Sequence, residues 1–119
     1  MKELILSKES KKALLNGDSM FLVPISNFLE YTNELKQYQE KYSQYKIGDV
    51  VCFKTSFIDW TPIEFIIKDI KVLRIKNLSM KQWNNLGTCL FDSKDWYNKQ
   101  YKNYNENQYV FLYEVERIK

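Results

Sequence analysis

The sequence predicts a single α+β domain, because short helical segments with clear start and stop signals alternate with β-rich segments. The chain has 119 residues, an ordinary size for one domain. Its hydrophobic fraction of 45% is sufficient for one core, and that core is rich in aromatic side chains. No linker-like stretch or internal repeat divides the chain, so we take residues 1–119 as one domain.

Short helices are predicted where a serine precedes a segment with helical spacing. A serine side chain at the N-cap accepts a hydrogen bond from the first turn, and a glycine just past the last turn stops the helix. The predicted helices are Lys8–Asn16 between Ser7 and Gly17, a segment from Ser79 to Leu86 closed by Gly87, and one starting at Ser93 that contains Trp96, Tyr97 and Tyr101.

Five β-rich segments are typical of strands, namely Leu4–Leu6, Met20–Ile25, Val50–Phe57, Ile63–Leu78 and Gln108–Ile118. In the fourth, the alternation of apolar residues changes phase between Ile67 and Ile70, which predicts a β-bulge or bend. The last strand is apolar on both faces near its start, so we expect it inside the sheet and not at an edge.

The clearest periodic pattern predicts an amphipathic helix over residues 27–43. Its apolar stripe contains Phe28, Tyr31, Leu35, Tyr38 and Tyr42, with Tyr45 just beyond the helix. Such a stripe can cover the domain's own sheet with its hydroxyls at the wet margin. It can also serve as a docking face for a protein, and the candidate interface residues are then Tyr31, Tyr38, Tyr42 and Tyr45.

Several kinds of catalytic chemistry find no support in the composition. The chain contains no histidine, which removes the commonest general base and zinc ligand, and its two cysteines, Cys52 and Cys89, are isolated. Three scattered glycines cannot form a phosphate-cradling loop. We therefore expect no enzyme, no metal and no cofactor.

The net charge of +3 is compatible with nucleic acid but does not require it. Residues 1–50 are balanced, so the whole excess lies in residues 51–119. No apolar run approaches the roughly 20 residues of a membrane helix, and no secretory leader pattern is present. The expected location is cytoplasmic, away from membranes.

The order of elements resembles the ASCH family, whose PUA-like barrels occur in many phages. Four segments carry the resemblance: Leu4–Gly17, Tyr45–Val51 with its Gly-Asp step, Ile67–Arg74, and the aromatic closing strand Asn107–Ile118. The resemblance implies a single-domain mixed β-barrel with short flanking helices, in which the 27–43 helix is an insertion. It also implies a phage origin and a cleft, near the first helix and its turn, that accepts a nucleotide or RNA.

The chain departs from the family at the positions that carry acetylcytidine hydrolysis. The family's lysine and threonine correspond to Ser19 and about Leu22, and its glutamate falls near Leu86. An acid, Asp18, stands where the family has basic residues, and it would repel a phosphate. A hydrolase is accordingly the last-ranked hypothesis.

Two binding hypotheses remain open. The first is a non-catalytic module for RNA or single-stranded nucleic acid, and its candidate residues are Lys68, Lys71, Arg74, Lys76, Trp60 and Tyr97. Aromatic rings that stack on bases contribute about 1–3 kcal/mol per base. The second is a phage-encoded, anti-CRISPR-like inhibitor that binds a host protein such as a defence nuclease complex. The sequence also leaves Trp83 and Trp96 as either stacking or core residues.

Overall fold

Five strands form one mixed sheet that curls into a half-barrel in the computed structural model, which describes residues 2–25, 43–54 and 62–118. The strands are β1 (Lys2–Glu3), β2 (Met20–Pro24), β3 (Val50–Phe53), β4 (Ile63–Arg74) and β5 (Tyr109–Arg117). Their order across the sheet is β1-β3-β4-β5-β2, and only β1 and β3 are parallel neighbours in the described part of the chain. The predicted α+β class is confirmed.

Within the described residues, three short helices flank the sheet: α1 (Lys8–Leu15), α2 (Met80–Asn85) and α3 (Ser93–Tyr101). The predicted N-caps of the first two are confirmed, since the Oγ atoms of Ser7 and Ser79 accept hydrogen bonds from backbone N–H groups in the first turn. Asp92 occupies the N-cap position of α3 without a side-chain cap bond, so Ser93 is the first helical residue. A 3₁₀ turn (Ile75–Asn77) directly follows β4.

Both predicted glycine stops are present and have the same geometry. Gly17 and Gly87 have φ angles of +99° and +94°, a left-handed conformation that glycine adopts without steric cost. After α1, the N–H groups of Gly17 and Asp18 donate to the carbonyl oxygens of Leu14 and Ala13. After α2, the N–H groups of Gly87 and Thr88 donate to the carbonyl oxygens of Asn84 and Trp83 in the same way. Each of these two helices therefore ends in a Schellman motif.

Strands β4 and β5 form the central ladder of the sheet. Their register shifts between Ile67 and Asp69, which confirms the bulge predicted from the change of phase. Strand β5 lies between β4 and β2, and five consecutive residues from its start are buried. Its predicted internal position is therefore confirmed.

The two faces of β5 belong to two separate cores. The inner core fills the half-barrel and includes Tyr109, Phe111 and Tyr113 of β5. The outer core packs α2 and α3 against the other face of the sheet; its buried members are Leu22, Ile75, Leu78, Trp83, Leu86, Tyr97, Val110 and Leu112. Because successive side chains of β5 point to opposite faces of the sheet, this one strand contributes apolar residues to both cores.

Four predicted elements differ from the structure or extend beyond the described residues. The fourth strand, predicted to reach Leu78, ends at Arg74, where the 3₁₀ turn begins. The first strand pairs at Lys2 and Glu3, two residues before the predicted Leu4–Leu6, and the Leu4 N–H then bonds the Cys52 carbonyl. The chain leaves the sheet here because Ser7 already caps α1. The predicted tyrosine-rich helix lies outside the described residues except at position 43, and residues 55–57 of the predicted third strand lie outside them as well.

The capping box of α2 gives a direct test of its local stability. Ser79 Oγ accepts from the Gln82 N–H at 3.1 Å, and Gln82 Oε1 accepts from the Ser79 N–H at 2.8 Å. Replacing Ser79 with alanine should cost about 1 kcal/mol of unfolding free energy, because one N–H of the first turn loses its acceptor. Urea unfolding measures the loss, and Ser79→Asp should restore most of it. Equal stability of the wild type and Ser79→Ala would contradict the cap.

Asp49 anchors the turn that enters β3, as the predicted Gly48-Asp49 step suggests. Its Oδ2 accepts hydrogen bonds from the Lys2 ammonium and from the Lys46 N–H, both at 2.8 Å. The hydrogen bond from Lys2, followed by that from the Lys46 backbone, lowers the pKa of the Asp49 carboxyl below its ordinary value of 3.8.

This lowered pKa predicts the sign of a pH effect. The ionised carboxylate stabilises the fold above the unfolded-state pKa, and the contribution is lost as the pH falls through the folded-state pKa. We expect Asp49→Asn to be less stable than the wild type at neutral pH, with the difference shrinking below about pH 4. Unfolding midpoints measured across that range provide the test, and a difference that grows on acidification would contradict it.

Candidate functional site

The basic side chains proposed for nucleic acid do not form one positive patch. Lys68, at the bulge, lies 3.4 Å from a carboxylate oxygen of Glu116, and Lys71 lies 3.9 Å from one of Asp69. Both lysines are exposed, so these ion pairs are weak. Carboxylates nevertheless accompany both lysines and reduce the attraction of this surface for phosphate.

The other two basic residues lie elsewhere on the sheet. Lys71 is opposite Leu112 of the outer core, whereas Arg74 is opposite Tyr109 of the inner core, so the two side chains project from different faces. The Arg74 guanidinium carbon lies 5.0 Å from the centre of the Tyr109 ring. Lys76 is exposed in the 3₁₀ turn beyond β4.

The aromatic candidates that the structure describes are buried. The Tyr97 ring is 3% exposed in the outer core, and its burial raises the pKa of the phenol to about 12. Tyr45 is 2% exposed and packs edge-on against Phe21 and Tyr113. Neither ring is open for base stacking or partner contact. The remaining aromatic candidates lie outside the described residues: Tyr31, Tyr38, Tyr42 and Trp60.

Two of the three positions that the ASCH resemblance aligns with catalytic residues are occupied by core leucines. Leu22 and Leu86 are buried together in the outer core. The half-buried Ser19 accepts the Val115 N–H through its backbone carbonyl. The resemblance places three functional groups here, and two of the three positions contribute to packing instead.

The ends of α1 and α2 meet beside Asp18. A Cβ built on Gly87 would lie 2.7 Å from the Ala13 Cβ and 3.4 Å from an Asp18 carboxylate oxygen. Both helices present their C-terminal, negative ends here, and the aspartate adds another negative charge. Burial raises the pKa of the Asp18 carboxyl. This junction therefore repels a phosphate, in contrast to the anion-accepting turn that the ASCH resemblance implies.

The most exposed large apolar side chain in the described part of the chain lies in the connection between α2 and α3. Phe91 is 94% exposed and its neighbour Leu90 is 52% exposed. Sequence reasoning did not identify them, although two adjacent apolar residues between a glycine stop and a serine start are a usable signal. Periodicity could not assign them, because a loop of this length has no repeating face.

Side-chain and backbone bonds hold this loop in place. The Cys89 thiol donates to the Asp92 carboxylate at 3.3 Å, and the Ser93 hydroxyl donates to the Leu90 carbonyl at 2.8 Å. On one side of the loop, the Thr88 N–H donates a hydrogen bond to the Trp83 carbonyl at the end of α2. On the other side, the Trp96 N–H donates to the Asp92 carbonyl at the start of α3. Phe91 is therefore presented to solvent on a backbone fixed at both sides.

An open groove of about 290 Å³ is lined in part by Asp92, the residue that follows Phe91 in the chain. We call it the acidic groove, and it is lined by Glu9, Thr88, Asp92, Asp95, Trp96 and Lys99. Three carboxylates and one ammonium give it a formal charge of −2, although the whole chain carries +3. Together with Leu90 and Phe91, the acidic groove forms what we call the Phe91 surface.

Contacts between α1, α2 and α3 hold the walls of the acidic groove together. The hydroxyls of Ser7 and Ser10 on α1 bond the Gln100 side-chain oxygen on α3. Trp96 packs edge-on against the buried Trp83, with ring centres 6.0 Å apart. The groove is therefore built on α2 and α3, which pack in the outer core, and on α1, which is hydrogen-bonded to α3.

The fold and this surface together define an α+β half-barrel domain that carries an exposed apolar loop beside an acidic groove. Comparison with known protein families, with curated proteins and with solved structures finds no match. In the part of the chain that the structure describes, no helix is long and apolar enough to cross a membrane.

Proposed function

We propose that this chain is a non-catalytic binding protein whose partner is another protein, bound through the Phe91 surface. The observation that carries the proposal is the 94% exposure of Phe91 on a loop whose backbone is hydrogen-bonded at both sides. Large apolar side chains exposed next to polar rims mark interaction sites, and aromatic anchors supply much of the energy of an interface.

The charge around this surface supports a protein partner over nucleic acid. Phosphate groups are attracted by positive surfaces, and their binding weakens steeply as salt rises. The acidic groove carries a formal charge of −2, and the two exposed lysines of β4 are paired with carboxylates. Inhibition of a host defence nuclease complex, a role favoured by the small size, the missing ASCH residues and the predicted tyrosine-rich helix, is one form that such protein binding can take.

Nucleic-acid binding is a second candidate, supported by a different observation. The Arg74 guanidinium lies over the Tyr109 ring at the end of β4, and Lys76 follows on an exposed turn. This second proposal includes the fold: the half-barrel would be a PUA-like barrel of the ASCH type. Such a barrel would provide a cleft for RNA. Arg74 and Lys76 would then contact phosphates.

A displayed library of random peptides tests the first proposal. We expect selection on the immobilised protein to enrich peptides whose binding is lost on Phe91→Ala, because truncation of a central aromatic anchor costs about 2 kcal/mol or more, roughly a thirtyfold weakening. Met80→Ala is the matched control, since Met80 is 65% exposed but does not line the groove. Peptides that bind all three proteins equally, or no enrichment, would contradict the proposal.

A salt series with labelled single-stranded and double-stranded RNA and DNA tests the second candidate. Phosphate contacts give an affinity that falls linearly with salt on logarithmic axes. Under the protein-binding proposal we expect no micromolar affinity for any of these nucleic acids near physiological salt. Micromolar or tighter binding that Arg74→Ala and Lys76→Ala weaken would favour nucleic acid instead.

A further inference from the structure

The Phe91 surface combines an apolar loop with a groove of opposite charge to the rest of the chain, and this combination restricts its partner. We infer that it receives an arginine-bearing segment of the partner protein, with an apolar residue of that segment on Phe91 and an arginine side chain in the acidic groove. The inference rests on the proposed function and names the chemistry of the partner.

Charge complementarity is the first argument. Glu9, Asp92 and Asp95 contribute three carboxylates, whereas Lys99 contributes the groove's one ammonium. The N-terminal end of α3 adds about half a positive charge. The balance remains negative, so a cationic side chain is attracted and an anionic one is repelled.

The groove fits a guanidinium better than a metal ion. Within the described residues, no group of three or more histidine, cysteine, aspartate or glutamate side chains is arranged to hold a metal. The carboxylates belong to two helices and the loop between α2 and α3, and they surround an open space of about 290 Å³. A long cationic side chain can enter such a space and bond carboxylates at more than one point.

Trp96 distinguishes arginine from lysine as the preferred occupant. Its indole lines the groove and is half-buried, supported from behind by Trp83. A planar guanidinium stacks on an aromatic face while its N–H groups bond carboxylates, whereas an ammonium is a compact and strongly hydrated charge. The adjacent Phe91 and Leu90 can then cover an apolar neighbour of the arginine.

Three fluorescent peptides with identical leucine and phenylalanine residues test the inference. They carry arginines, lysines or glutamates at their remaining positions. We expect the arginine peptide to bind the wild-type protein at least about tenfold tighter than the glutamate peptide at low salt. The lysine peptide should bind with an intermediate affinity. Equal affinities of the arginine and glutamate peptides would overturn the inference, and so would undetectable binding of the arginine peptide.

Two double variants test whether the preference for the arginine peptide over the glutamate peptide depends on the carboxylates of the acidic groove. In the double variant Glu9→Gln/Asp95→Asn we expect the arginine and glutamate peptides to bind with nearly equal affinities. The control Glu106→Gln/Glu114→Gln also removes two exposed acids, but neither lines the groove, and it should keep the preference. Matching thermal unfolding midpoints establish that both variants are folded. A preference that survives in the groove variant would overturn the inference.

The outcomes separate this inference from the proposed function. Phe91→Ala should weaken the arginine and lysine peptides alike, because it removes the apolar contact and leaves the groove charges unchanged. If the library yields Phe91-dependent peptides that show no excess of arginine, the proposed function stands and the inference is wrong. If no peptide depends on Phe91, the proposed function is wrong.

Discussion

Replacing Trp83 with alanine is expected to lower the unfolding free energy by about 3–5 kcal/mol. Trp83 is 1% exposed in the outer core, so its removal leaves a large cavity between α2 and the sheet. Small domains have a total stability of about 5–15 kcal/mol, so this single change removes a large share of it. Chemical denaturation followed by circular dichroism measures the loss.

The matched control for this prediction lies on the same helix. Met80 is 65% exposed, and Met80→Ala should change stability by no more than about 0.5 kcal/mol. Trp83 also supports Trp96, so Trp83→Ala should weaken peptide binding as well as stability. If Trp83→Ala cost no more than Met80→Ala, the outer core would not be packed as described.

The second large effect is expected at Gly87, where alanine meets both backbone strain and a steric contact. The left-handed conformation alone costs a non-glycine residue about 1–2 kcal/mol. The new Cβ would also lie 2.7 Å from the Ala13 side chain on α1, which is too close for two carbon atoms. Relieving such an overlap in a packed site adds about 1–3 kcal/mol.

Gly17 is a close control for this substitution. It has nearly the same φ angle and ends a helix with the same motif, but a Cβ built on it meets nothing within 4 Å. Gly17→Ala should therefore show the backbone cost alone, and the difference between the two variants measures the contact between α1 and α2. Equal losses of unfolding free energy would mean that the helix ends do not touch.

Local signals in the sequence predicted much of the fold. The serine caps, the glycine stops, the bulge near residue 68 and the internal position of β5 all follow from short-range chemistry or from alternation. The first strand was placed two residues too late, because β1 pairs with β3, about fifty residues away. Strand pairing over such distances leaves no local pattern from which to set the register.

The candidate site was much less predictable than the fold. The lysines at 68 and 71 were recognised as basic, but their acidic neighbours come from the bulge and from β5, which only the register defines. Tyr97 was a candidate for stacking, yet its ring belongs to the outer core. The exposure of Phe91 depends on where α2 and α3 end, and the charge of the groove depends on Glu9 from a distant segment.

The helices that stabilise the domain also build the proposed site. Gly87 ends α2 against α1, which carries Glu9, and the loop that follows presents Phe91 before α3 supplies Asp95 and Trp96. We therefore expect changes at the junction of the helix ends to alter binding as well as stability. This coupling distinguishes the Phe91 surface from the charged side chains of β4, which do not depend on that junction.

The most direct test of the protein-binding proposal is an NMR map of backbone amide shifts when a selected peptide is added to isotope-labelled protein. We expect the largest changes at residues 88–99 and near Glu9, and we expect Phe91→Ala to abolish them. Changes centred on Lys68, Lys71 and Arg74, with residues 88–99 unaffected, would contradict the proposal.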